Sequence, residues 1–89
     1  YNLSKYNYIQ KNYKESINIC QKAIDISSKT NNYRRIILVY YLIGISKFKL
    51  NETSFSEDIE KSLVLCDLLA KPELKLIIRK NVSSILEEK

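Results

Sequence analysis

The stretch Ile36-Ile37-Leu38-Val39-Tyr40-Tyr41-Leu42-Ile43-Gly44-Ile45-Ser46-Lys47-Phe48-Lys49-Leu50 decides the fold. Ile36, Ile37, Val39, Tyr40, Ile43, Gly44 and Phe48 cover most of the circumference of a helix and leave little of it polar before Lys47. A helix apolar on most sides is packed on more than one side, so this segment is expected to have several helical neighbours. Its longest apolar run, Ile36 to Ile45, is interrupted by Gly44 and flanked by Arg34, Arg35 and Lys47. It falls short of the roughly 18 uninterrupted apolar residues that would mark a membrane span, and no other stretch comes closer.

Outward from this segment the apolar period stays near 3.6, broken by short polar clusters, which is the pattern of consecutive helices with tight connections. Five helices are expected, over about 1–10, 13–28, 33–50, 56–70 and 72–88. Leu3, Tyr6 and Ile9 mark one side of the first. Ile17, Cys20, Ala23, Ile24 and Ser27 mark the second, which gives way to the polar connection Ser28-Lys29-Thr30-Asn31-Asn32. The fourth begins near Ser56 with Glu57, Asp58 and Glu60 in its first turn, where acids suit the positive end of the helix dipole, and carries the stripe Ile59, Leu63, Cys66, Leu69, Ala70. Pro72 fits the first turn of the fifth, whose apolar face is Leu74, Ile77, Ile78, Val82, Ile85 and Leu86.

The composition agrees with helices and excludes several classes. The chain has 89 residues, 45% hydrophobic and 28% charged, with one Gly, one Pro and no His, Met or Trp. Hairpins, doubly wound sheets and phosphate loops need more glycine than this. A chain of this length is at most one domain with a thin core. It opens on Tyr1 with residues already in a helical pattern, which implies a segment of a longer protein. The net charge of +5 is uneven: residues 1–50 hold nine Lys/Arg against Glu15 and Asp25, while residues 51–89 hold six against eight acids. Twelve Lys, thirteen Ile and eight Asn also fit the codon bias of an AT-rich genome, so the basicity alone is not a signal for nucleic acid. Cys20 and Cys66 lack CxxC or His companions, excluding a zinc site and a redox motif, and read as two reduced structural thiols in a cytoplasmic protein.

Two segments superpose as a helix pair. Leu3-Ser4, Lys11-Asn12-Tyr13, Ser16, Cys20 and Ala23 form one, and Tyr40, Ile43-Gly44, Phe48, Leu50-Asn51-Glu52, followed by the stripe Ile59, Leu63 and Cys66, form the other. This pattern resembles the tetratricopeptide repeat. In that family small residues such as Ser4 and Gly44 let the first helix of a pair lie close to the second, and an aromatic such as Tyr13 fills the space between pairs. The match departs from the family around Asn31-Ile36 and Thr53-Ser56, where residues are added. Lys11 also stands where the turn usually has Gly, and no Pro ends the first pair. The resemblance implies an all-α, right-handed superhelical stack of antiparallel helix pairs, about two and a half of them. With the run from Val39 to Leu50 at its heart, the chain looks most like the C-terminal sensor domains of the RRNPP family, cytoplasmic peptide-responsive transcription regulators of low-GC Gram-positive bacteria.

Catalysis finds no support in these residues. No His is present for acid/base work, and the acids cluster at helix ends, where solvated carboxylates need no further explanation. No cofactor or metal is expected. The resemblance implies instead that a short peptide binds on the concave face, lined by the first helix of each pair. It nominates Lys5, Tyr8, Leu38, Tyr41, Leu42, Ile45, Phe48, Lys49, Lys75 and Arg79, with Tyr1, Ile9 and Val82 beside them. Lys5, Lys49 and Arg79 would meet a carboxylate and the aromatic and aliphatic side chains would meet apolar peptide residues. Tyr41, Leu42 and Ile45 fit packing against a neighbouring helix equally well. Ile45 stands where the carboxylate-clamping type of this repeat has Asn, so the resemblance does not support that variant. Tyr33-Arg34-Arg35 is the best nucleic-acid candidate but matches no recognition motif. The resemblance further implies a homodimer, and DNA contact only through a domain outside this segment. A scaffold without a peptide ligand is the alternative, marked by an exposed apolar patch around Ile77, Ile78 and Ile85.

Overall fold

Three turns of one type set the helix lengths. The structure, a computed structural model, describes residues 2–30 and 33–87, with backbone alone at 2–4, 27, 28 and 30. It contains α1 (Asn2–Ile9), α2 (Tyr13–Thr30), α3 (Tyr33–Lys49), α4 (Phe55–Leu68) and α5 (Pro72–Glu87). The all-α reading with five helices holds, and no strand occurs among the described residues. None of the helices there is long and apolar enough to cross a membrane.

After α1, α3 and α4 the chain passes through a left-handed residue: Lys11 (φ 65°), Asn51 (φ 63°) and Ala70 (φ 53°). Each is followed by a backbone N–H that reaches back five residues: Asn12 to the Asn7 carbonyl at 2.8 Å, Glu52 to Lys47 at 2.9 Å and Lys71 to Cys66 at 2.8 Å. The left-handed residues donate three residues back, to Tyr8, Phe48 and Asp67. This pair of bonds is the Schellman closure, which satisfies carbonyls otherwise orphaned at a helix end. Glycine usually fills its left-handed position; here Lys, Asn and Ala do.

Two helix ends, those of α2 and α4, shift by two residues for local reasons. α2 continues through Ser28 and Lys29 to Thr30, because that stretch is polar but holds no Gly or Pro, and Lys29 suits the negative helix end. α4 starts at Phe55 and stops at Leu68, where the left-handed Ala70 ends it, so Ala70 lies outside the helix and Glu60 outside its first turn. Asn31 and Asn32 of the expected connection lie outside the described residues. Pro72 opens α5 as expected.

α3 lies against α1, α2, α4 and α5, while among the described residues the backbones of α2 and α4 do not approach each other. Its residues therefore enter two core clusters. Val39, Leu42, Ile43 and Ile45 pack with Ile17 and Cys20 of α2 and Ile59 of α4. Ile37 packs with Cys66 of α4 and Leu74 and Ile78 of α5. Tyr41, Leu63 and Val82 border both. The expected α1 stripe is corrected: Tyr6 and Ile9 are exposed, the Leu3 side chain is not described, and Tyr8 makes the inward contact. On α5, Ile77 and Leu86 are exposed because only the Leu74–Ile78 side of the helix faces α3 and α4. The radius of gyration, 12.2 Å, is that of a globular domain of this length, about 12 Å.

Small side chains let the helices approach. Ser16, Cys20, Ser46, Ser62 and Cys66 are fully buried. The Ser62 hydroxyl donates to the Ile59 carbonyl at 2.6 Å, while Ser46 Oγ has no hydrogen-bond partner among the described residues. Gly44 marks the closest approach: a Cβ there would overlap Ile59 Cδ1 and lie 2.7 Å from Cγ1 and 3.2 Å from the Ile59 nitrogen. Near this crossing Lys47 Nζ lies 2.8 Å from Oδ2 of the buried Asp58, an ion pair rather than an aligned hydrogen bond.

Gly44→Ala is expected to destabilise the fold by about 1–2 kcal/mol, overpacking outweighing the helix-propensity gain. In an Ile59→Ala background the same change should become neutral or stabilising; urea denaturation of the four proteins measures both. Lys11→Gly and Ala70→Gly should each raise stability by about 0.5–1 kcal/mol by relieving the left-handed strain. The readout is a higher urea midpoint at constant m-value.

Candidate functional site

The residues nominated for peptide binding divide by burial. Leu42 and Ile45 are 2% and 4% exposed and sit inside the first core cluster, which corrects their assignment to a ligand-facing surface: α2 and α4 enclose that part of α3. Leu38 and Tyr41 are half-buried, Leu38 against the second cluster and Tyr41 against both. Tyr8 is half-buried and meets Tyr13 edge-on, ring centroids 5.4 Å apart. Phe48 meets Phe55 in the same way at 5.0 Å. Phe48 and Val82 come together at a void of about 10 Å³, too small for a peptide side chain. Lys5 and Ile9 are exposed, Lys49 is half-buried, and Tyr1 lies outside the described residues.

Lys75 and Arg79 share a cleft of about 530 Å³ between the end of α4 and the start of α5, with Lys71 and Leu76 on its walls and Cys66 at its edge. Lys75 Nζ is held there by Asp67, 2.8 Å and 3.0 Å from its two carboxylate oxygens. Lys49 lies at the other end of α3. Since Leu74 packs beside Ile37, the twelve residues from Ile37 to Lys49 separate the two cationic regions by about 18 Å. They cannot hold one carboxylate together.

A larger groove of about 610 Å³ involves none of the nominated residues. Ile36 and Tyr40 of α3 and Val64 and Leu65 of α4 supply its apolar lining, and Glu57, Glu60 and Lys61 its rim. Lys61 Nζ stands 5.6 Å from the centre of the Tyr40 ring, a cation over an aromatic face. Reading α4 by its buried stripe alone misses this groove. Its signal is the second row Glu57, Lys61, Val64, Leu68, in which two apolar residues continue a solvated face of the helix.

The thiol of Cys66 is buried, and burial pushes its pKa above the ordinary 9.0; the Asp67 charge adds to this and Lys75 opposes it. Cys66 and Cys20 both remain thiols in the core. Among the described residues no three His, Cys, Asp or Glu side chains gather in a way that could hold a metal ion.

No protein-family model matches the sequence, and neither does any curated protein or solved structure.

The raised thiol pKa has a stability consequence of definite sign. Above about pH 9 the unfolded chain releases the Cys66 proton while the folded chain keeps it, so stability falls as pH rises until the folded pKa is passed. Thermal melts across the alkaline range should show a steeper loss of Tm for the wild-type chain than for Cys66→Ala. Equal slopes would mean that burial does not perturb this thiol.

Proposed function

We propose that this chain is a peptide-binding helical-repeat domain, holding a short extended peptide along α1, α3 and α5. The observation that carries the reading is the order of contacts. α3 approaches both α1 and α5, while among the described residues the backbones of α2 and α4 remain apart. This supports two helix pairs joined through α3, with the first helix of each pair in one layer. The close approach of α3 and α4 at Gly44 supports the same pairing.

Without the buried Leu42 and Ile45, the ligand-facing set is Lys5 and Tyr8 on α1, Leu38, Tyr41, Phe48 and Lys49 on α3, and Lys75 and Arg79 on α5. Cations at two ends with half-buried aromatic and aliphatic side chains between them suit an apolar peptide carrying an acidic group at one end. About five or six extended residues span the separation between Lys49 and the Lys75/Arg79 cleft. By its resemblance to the RRNPP sensors, the domain belongs to a cytoplasmic transcription regulator that reaches DNA through another domain and works as a homodimer. Peptide binding would then change the domain's curvature or its dimer packing.

One observation favours the alternative, a scaffold for protein partners: Leu76 and Ile77 on α5 are 67% and 55% exposed. The apolar patch expected there is narrower than Ile77, Ile78 and Ile85 together, because Ile78 is buried in the core and Ile85 is half-buried.

Selection of a displayed heptapeptide library on the chain, followed by fluorescence titration of the recovered peptides, tests the proposal. Saturable binding that weakens about tenfold or more on Lys49→Glu or Arg79→Glu is expected, as for loss of a charge-assisted contact. Failure to recover any saturable binder, or binding unaffected by both substitutions, would sink it.

A further inference from the structure

The groove between α3 and α4 and the outer face of α5 both expose apolar side chains and carry opposite charges beside them. In the groove, Val64 is 47% exposed, and Leu68 one turn further along α4 is 75% exposed. One turn before Val64 stands the exposed acid Glu60, with Glu57 three residues earlier on the same rim. Two like charges at this spacing repel each other and gain from a cation placed between them. Lys61, the nearest cation on α4, is held over the Tyr40 ring. On α5, Leu76 and Ile77 are exposed side by side, and the exposed Lys80 follows both by one turn. Each surface is thus an apolar pair with a charge one turn away, acidic on α4 and basic on α5.

We infer that α5 of one copy docks antiparallel to α4 in the groove of another, laying Leu76 and Ile77 on Val64 and Leu68. The charges select this direction. Antiparallel docking brings Lys80 toward Glu60 and Glu73 toward Lys71, whereas parallel docking would set Glu73 against Glu60 and Lys80 against Lys71. Because the two surfaces are different patches of the same chain, each copy offers one of each. The contact is heterologous and distinct from the homodimer of the proposed function, and by itself it builds an open head-to-tail chain rather than a closed symmetric pair. Leu76 and Lys71 also line the Lys75/Arg79 cleft, while Glu60, Val64, Leu68 and Lys80 lie outside the ligand-facing set, so the charge reversals at Glu60 and Lys80 test this association apart from the peptide reading. Two small patches make a weak contact, below the area of a permanent interface, and its ionic part weakens with added salt.

Sedimentation of the full chain from micromolar to millimolar concentration is the test. The expected result is a weight-average mass that rises with concentration without stopping at two copies, and falls when salt is added. Glu60→Lys and Lys80→Glu, both at exposed positions, should each weaken association about tenfold or more. An equimolar mixture of these two variants restores opposite charges at every contact and should recover wild-type association. Leu76→Asp should abolish it without a change in circular dichroism. A chain that stays monomeric throughout, a closed dimer indifferent to the charge reversals, or a mixture that fails to recover association would each overturn the proposal. So would a groove that binds a foreign cationic helix while the chain remains monomeric.

Discussion

Gly44 lies where α3 and α4 come so close that one added methyl group would overlap Ile59. Much of the rest follows from that approach. With the two helices drawn together, Lys47 reaches the buried Asp58 in the first turn of α4. The fully buried Ser62 and Cys66 continue the small-residue side of α4 toward its end. Ile59 then belongs to the same cluster as Ile17 and Cys20 of α2, with α3 between, although among the described residues the backbones of α2 and α4 do not approach each other. The small residues replace burial of large side chains by close packing, which suits a short chain with a thin core.

The glycine is spent on packing and not on turning. Three left-handed turns are closed without one, by Lys11, Asn51 and Ala70. Asn51 accepts that conformation most readily, while Lys11 and Ala70 bear a larger steric cost, which the recovered carbonyl bonds offset. The same closures make the connections short, so α3 and α4 run antiparallel, as do α4 and α5. Their shortness brings the start of α5 back to Ile37 and forms the cationic cleft at that end of the molecule.

Charge and apolar exposure are arranged by face. Lys71, Lys75 and Arg79 surround the cleft at the α4–α5 turn, with Asp67 compensating only one of them. Glu57 and Glu60 border the α3–α4 groove. The balance by halves, basic before residue 50 and mildly acidic after it, therefore conceals the relevant grouping: a basic and an acidic site both lie in the second half. Of the nominated residues, Lys5, Lys75 and Arg79 came from the repeat positions that the resemblance implies, and the fold leaves Lys5 and Arg79 exposed and Lys75 half-buried. Leu42 and Ile45 were not separable from Leu38 and Tyr41 by sequence. All four lie on a helix apolar nearly all round, and periodicity cannot tell which side a neighbour will cover.

Helix number, helix type and the central place of α3 were determined by the sequence itself, because a 3.6-residue apolar period and polar breaks are local properties of the chain. The same is true of Pro72 at the start of α5, whose missing N–H is unneeded there. Tertiary structure alone decided which arcs of α3 are covered, where the grooves open, and that Ile77 is exposed beside a fully buried Ile78. A helical pattern specifies that an apolar arc exists. Its burial depends on where the neighbouring axes pass, and that is set by contacts between residues far apart in sequence, such as Gly44 with Ile59 and Ile37 with Leu74.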